Sequence, residues 1–326
     1  VGFDFGFMNR KLTGSIDYFR KNTDDLLFRV PVAQPGPVGS FSWANFSDEI
    51  INSGIEIGLN YNAIDTEDFS LEFGGNISFL KNEINGKEAF ADFGTTTGGA
   101  AGQGLSGENL QLLYDGQPLY AFYLPVFTGF DSSGTPQYAD SNGDGIVDTN
   151  FDQPGGQSDR VFAGDPNPNV NIGLYIRGNY KNWDFAVNGY GAYGHEIYNN
   201  TANALFSQSA LNRGENVITS VVGNGEDPGS SPIISTRFLE SGDFFRLSNA
   251  SIGYTLGSEN LGKLGNYVSS ARLFLTGQNL FIITPYSGFD PEVNTNRQVN
   301  GVPSFGIEYS GYPRARSFSL GVNLNF

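Results

Sequence analysis

The chain has 326 residues, no cysteine, one histidine and a formal net charge of −16. These facts exclude disulfides, thiolate metal centres and cysteine nucleophiles, and they argue against a nucleic-acid partner, which needs a basic face. Charged residues are 16% of the total, below the roughly 25% of soluble domains, and no run of about 18 apolar residues is present to cross a bilayer as a helix.

Val1 opens directly onto GFDFGFM, with no signal peptide ahead of it, so the reading expects the C-terminal piece of a longer protein. Alternation with a period of two is the main signal. It places strands at 2–8 and 11–21, joined through Asn9 and Arg10. In 51–63, Ile55, Ile57, Leu59 and Tyr61 oppose Glu56, Gly58, Asn60 and Asn62. In 69–79, Phe69, Leu71, Phe73, Ile77 and Phe79 oppose Ser70, Glu72, Gly74, Asn76 and Ser78. In 170–181, Ile172, Leu174, Ile176 and Tyr180 oppose Asn171, Arg177 and Asn179. Further strands are expected over 183–198, 243–257 and 271–284, and a short helix over 200–212. In the last segment Arg316, Phe318, Leu320, Val322, Leu324 and Phe326 alternate with Ser317, Ser319, Gly321, Asn323 and Asn325.

That makes nine strands. A soluble sandwich shows the same alternation, but its strands run about 5–6 residues. Most of these are as long as the roughly 9–11 residues a tilted membrane strand needs. The expected fold is therefore all-β, a transmembrane antiparallel β-barrel. Short connections fall at Asn9–Arg10, Asp65–Asp68 and Asn182, with a medium one at 258–270; long ones fall at 22–50, 85–169, 199–242 and 285–314. Short periplasmic turns and long outer loops alternate in this way in outer-membrane barrels. With the last strand running inward to Phe326, every short connection lies on the periplasmic side. Bacterial barrels have an even number of strands, so residues 1–326 read as the C-terminal part of a larger barrel, with 85–169 as its long extracellular loop region.

Few motifs carry chemistry. Asp140, Asn142, Asp144, Ile146 (through its carbonyl) and Asp148 match the opening of a calcium loop, with Gly145 at its sixth position. The twelfth position is Phe151, not an acid, and Asp152 or Asp159 would have to substitute. The expectation is Ca2+ in loop 140–152, against a plain series of Asx turns in a solvated loop. Gly102, Gly104 and Gly107 have the letters of a dinucleotide fingerprint without its strand–turn–helix context. His195 beside Glu196 reads as a rim or lumen histidine, because no nucleophile–base constellation accompanies it and an enzyme is not expected. Asp24–Asp25 and Asp48–Glu49 read as solvated loop charges. Trp43, Tyr120, Tyr123, Trp183 and Tyr198 read as members of an interfacial girdle. Tyr286, Tyr309 and Tyr312 share a long loop and are the candidate substrate-stacking residues.

Longer stretches carry a resemblance. GFDFGFMNRKLTGSIDYFRKNTDDLL at 2–27, NSGIEIGLNY at 52–61, DSNGDGIVD at 140–148 and GDPNPNVNIGLYIRGNYKNWDF at 164–185 are four of them. FFRLSNASIGYTL at 244–256, ARLFLTGQNLFIITPYSGFDPEV at 271–293 and the terminal RSFSLGVNLNF complete the set. Together they resemble the C-terminal portion of a SusC/RagA-type TonB-dependent transporter of Bacteroidota. The resemblance implies a plugged barrel of 22 strands in the Gram-negative outer membrane, of which these are the last nine. It implies a lipid bilayer with lipopolysaccharide around the wall, and a SusD-like lipoprotein as lid. It also implies contact with the TonB–ExbB–ExbD complex through the N-terminal part, and an oligosaccharide or peptide as cargo. The reading from another class is a structural or secretion-associated barrel serving as a docking platform.

Overall fold

The structure, a computed structural model, describes residues 1–31, 41–292 and 294–326. Alternating segments make ribbons with one greasy and one polar face, and nine of them pair edge to edge in chain order. They are β1 (Gly2–Phe7), β2 (Leu12–Thr23), β3 (Glu49–Asp65), β4 (Phe69–Asn85), β5 (Val170–Tyr180), β6 (Trp183–Tyr193), β7 (Phe244–Gly257), β8 (Ser270–Ile283) and β9 (Ser317–Asn325). Every neighbouring pair is antiparallel. All nine expected strands are present, as is helical structure at 200–212, in two short helices over Asn200–Leu205 and Gln208–Asn212.

Register separates the two faces cleanly. Ile16, Ile57, Ile77 and Ile172 are direct cross-strand partners along one row. Ile252, Leu275 and Leu320 form another. These large apolar groups are uncovered: Leu275 is 46% exposed and Leu320 82%. A soluble sandwich would bury this face under a second sheet, whereas here the greasy face is the outer one, as a lipid-facing wall requires. The buried apolar core lies elsewhere, among the outer loops. Leu110, Phe122, Leu124, Tyr198 and Ile307 centre one cluster, and Ile84, Phe90, Leu113 and Val302 a second.

One departure from the sequence reading has a local cause. The strand expected over 183–198 breaks after Tyr193. Gly194 takes φ +75°, and its N–H is held by the Asp243 carboxylate at 2.6 Å. Glu196–Asn199 then pairs with Leu239–Ser241 and, in parallel, with Ile307–Glu308. The 85–169 region is not plain loop. It carries a four-stranded sheet in the order Arg160–Gly164, Phe122–Pro125, Asn109–Leu113, Thr95–Gly99. The 22–50 connection contains a hairpin of Leu26–Pro31 with Phe41–Phe46; its residues 32–40 lie outside the described residues.

Asp48 is a further correction. It is fully buried, and its carboxylate accepts the N–H groups of Lys87, Glu88, Ala89 and Phe90 at 2.8, 3.0, 2.9 and 3.3 Å. It ties the base of β3 to the chain leaving β4. Burial is the largest influence on this carboxyl and pushes it up, but the four backbone donors together outweigh it and hold the group below the usual range. Because the folded value lies below the ordinary one of 3.8, its stabilisation is complete above that pH and fades as pH falls through the folded value. Asp48→Ala leaves four donors without an acceptor and is expected to cost about 3 kcal/mol of local stability. Faster hydrogen exchange at the amides of 87–90, with the rest of the wall unchanged, is the readout.

Candidate functional site: the lumen face and the loops above it

The polar face of the sheet carries paired charges that only a wet or protein-filled interior accommodates. Glu72 on β4 receives both the Nε and Nη2 of Arg177 on β5, at 2.9 and 2.8 Å, and the Tyr175 hydroxyl at 2.6 Å. The Tyr175 ring lies where a side chain at Gly74 would be: a Cβ there would sit 2.3 Å from Tyr175 Cζ. Glycine at 74 therefore gives the ring its berth across the strand pair. Arg272 on β8 pairs with Asp184 on β6. With Asn179 and Ser70, the Glu72 and Asp184 groups line a polar cavity of about 330 Å³ towards the short-turn end.

A larger cavity of about 480 Å³ lies towards the loop end. Its floor is the inner face of β4 to β7, at Asn76, Ser78, Asn171, Tyr190 and Phe244. Its roof is Pro166, Pro291, Glu292 and Phe305 from the long connections. The roof is anchored by one buried arginine. Arg246 on β7 is 3% exposed and pairs with Asp290 at 2.6 Å and Glu292 at 2.6 Å. It also donates from Nη1 to Asn279. Glu292 receives the Tyr190 hydroxyl on both oxygens, at 2.8 and 2.7 Å, and Arg314 at 3.2 Å.

His195 lines this cavity and is 8% exposed. Its Nδ1 has no hydrogen-bond partner. Burial pushes its pKa down, against the charges of Asp243 and Asp165, and favours the neutral ring. Burial and the same two aspartates push Glu196 up. Among the described residues, no hydroxyl is hydrogen-bonded to the ring.

The three candidate tyrosines are not brought together at the cavity. Tyr286 is 5% exposed with its hydroxyl unpartnered, and burial beside Glu308 and Glu240 pushes its phenol far up. Tyr309 is half-buried under the Arg297 guanidinium, 5.7 Å from its ring centre. Tyr312 is 89% exposed. Trp183 fits the girdle reading: it stands 47% exposed at the short-turn end, 4.7 Å from the Tyr254 ring. Tyr123 and Tyr198 do not, since both are buried among the outer loops.

In the 140–152 loop each side chain turns back on its own backbone. Asp140 accepts Gly143 and Gly145 N–H groups, Asn142 accepts Asp144, Asp144 accepts Ile146 and Asp148 accepts Asn150. Asp159 is buried beneath them and accepts the N–H groups of Ser141 at 2.6 Å, Asp148 at 2.7 Å and Asn142 at 3.1 Å. Burial pushes its carboxyl up, and those three donors bring it down below the usual range. Among the described residues, no three or more His, Cys, Asp or Glu side chains stand grouped to hold a metal ion.

Sequence reasoning missed Arg246, Asp290 and Glu292. The signal was present: an arginine flanked by Phe244, Phe245 and Leu247 needs carboxylate partners if it points inward and is buried.

A nine-stranded antiparallel meander with its apolar face outward and ion pairs inward defines a section of membrane β-barrel wall. No protein-family model matches the chain, but individual proteins do. The TonB-dependent receptor P3 of Formosa agariphila is 30% identical over 353 residues, covering all of this chain and 33% of its own length. The TonB-dependent receptor SusC of Bacteroides thetaiotaomicron is 32% identical over 350 residues, again across the whole chain and 31% of its own length. The RagAB peptide importer in its closed-closed state superposes with a TM-score of 0.76 at 19% identity, over 100% of this chain and 35% of that one. The chain thus spans about a third of the length of the relatives it matches, and over its whole length it is similar, as barrel wall and outer loops, to TonB-dependent receptors of the SusC kind.

Proposed function

We propose that these residues form wall, outer loops and part of the cargo cavity of a receptor for TonB-dependent nutrient import across the outer membrane. The observation that carries this reading is the larger cavity. It opens on the lumen face of β4–β7 and is roofed by loop segments pinned to the wall through Arg246. A wall that served only as a docking platform has no need of a roofed inner cavity. The cargo is an oligosaccharide or peptide, the lid a SusD-like lipoprotein, and the drive the TonB–ExbB–ExbD complex acting on the rest of the receptor. Deleting the receptor gene is expected to abolish growth on one nutrient class while leaving outer-membrane integrity intact. Co-purification of the receptor with a surface lipoprotein checks the lid. Unchanged growth on every nutrient together with leaky cells would favour the structural alternative.

We propose in addition that loop 140–152 takes Ca2+, on the strength of its ligand spacing and of the acidic Asp159 folded against it. Binding would require the side-chain oxygens of Asp140, Asn142, Asp144 and Asp148 to turn lone pairs from their present backbone N–H donors towards the ion. Calcium titration followed by calorimetry is expected to give one site in the wild type and none in Asp144→Ala; identical titrations would reject it.

A further inference from the structure

The sheet opens at its outer rim between its last two strands. β9 begins at Ser317, opposite Gln278, whereas β8 continues to Ile283. Asn279 to Ile283 therefore have no strand beside them on that side. Asn279 takes φ +52° at an irregularity of the β7–β8 ladder, and its Nδ2 donates to the carbonyls of Arg314 and Ala315 at 2.8 and 3.3 Å. The chain entering β9 is held to β8 there by a side chain and not by a ladder. A cleft of about 260 Å³ lies beside it. Phe281, Phe289 and Pro313 give the cleft apolar walls, and Arg246, Asp290, Arg314 and Arg316 bring charge to it.

These charges do not cancel. Arg246 and Arg314 are answered by Asp290 and Glu292. Arg316 is exposed and forms no ion pair among the described residues. Three guanidinium groups thus meet two carboxylates, and the surplus positive charge caps the greasy row of Phe318, Leu320, Val322 and Leu324. Phe281 and Ile283 end the greasy row of β8 at the same rim, and both are exposed. In a chain of formal net charge −16, a spare cation above a lipid-facing row runs against the general balance. With the long loops outside, this rim meets the outer leaflet. We propose that the cleft binds a phosphate of an outer-leaflet glycolipid, with Arg316 as its cation and the acyl chains laid along Phe281, Ile283 and Phe318. A guanidinium presents a fork of N–H donors that fits phosphate oxygens, and basic pockets beside lipid bind anionic head groups. A soluble anion would gain nothing from the apolar rows below the cleft. This binding requires the greasy face to be a lipid wall and requires nothing of the cargo.

The test uses the whole receptor, purified in detergent without added nutrient, with native mass spectrometry to count bound lipid. Phosphorylated lipid A is titrated beside the same lipid stripped of its phosphates. The wild type is expected to hold the phosphorylated form about tenfold more tightly. Arg316→Gln, at an exposed position, is expected to lose that preference. Arg316→Lys should keep part of it, because the charge remains while the fork is gone. Arg20→Gln removes another exposed cation, opposite Ser53 on the outward face of β2, and is expected to leave the preference unchanged. Equal retention of the two lipids by the wild type, or an unchanged preference in Arg316→Gln, would overturn the proposal. So would the same loss in Arg20→Gln, which marks diffuse surface charge, or displacement of the lipid by inorganic phosphate, which marks a site for a free anion. The growth phenotype of the gene deletion judges the import reading separately, so either can fail alone.

Discussion

Arg246→Ala is expected to release the segment around Asp290 and Glu292 from the barrel wall and to cost about 3–5 kcal/mol, the usual penalty for stranding buried carboxylates without their cation. Asp290 is 3% exposed and would keep its burial while losing the guanidinium at 2.6 Å. Glu292 would keep Tyr190 and Arg314, so the damage should centre on Asp290 and spread along the roof of the cavity. Hydrogen exchange should rise over 286–308 with little change in β1 to β4. Arg246→Lys should recover only part of the loss, because one ammonium cannot reach Asp290, Glu292 and Asn279 as the fork of a guanidinium does. Exchange unchanged over 286–308 in Arg246→Ala would show that the roof is held by something else.

Adjacent residues on β8 should respond in opposite ways to the same charge. Leu275 lies near the middle of β8 on the outer face, in a row with Ile252 and Leu320. Leu275→Arg is expected to destabilise the folded barrel by about 2–4 kcal/mol, the cost of an arginine facing the bilayer midplane. Thr276 pairs with Ser251 and Ser319 on the inner face, and Thr276→Arg should cost little by comparison. Urea unfolding of the full receptor in lipid vesicles measures both. A small effect of Leu275→Arg, or an equal effect of the two, would mean that the exposed apolar face does not meet lipid.

The wall was legible in the sequence because a strand's faces alternate with a period of two, so each segment reports its own greasy side without reference to any other. The same rule extended less well above the membrane. Past Phe79, β4 continues to Asn85, yet Lys81 and Glu83 now stand on the outward row and Leu80 and Ile84 on the inward one. The polarity inverts where water replaces lipid, so the apolar-outward alternation ends at Phe79 while the strand goes on to Asn85. Above that line the outer loops fold like a soluble domain, with Phe122, Tyr198 and Ile307 in one core. Aromatic residues there are buried for packing and not for the interface, which is why Tyr123 and Tyr198 were misread as girdle.

The candidate site shows the same division. Asp140 to Asp148 could be found by spacing because a loop ligand set is local. The Arg246 network joins residues 44 and 46 positions apart, from Arg246 to Asp290 and to Glu292, and His195 meets Asp165 only because the β4–β5 and β6–β7 connections converge above the sheet. By itself the sequence determined the strands, their two faces and the family resemblance, since each follows from local alternation or contiguous motifs. Tertiary structure decided which loop residues are buried, where the cavity lies and which charges neutralise one another, because burial and ion pairing depend on distances between segments that no local pattern encodes.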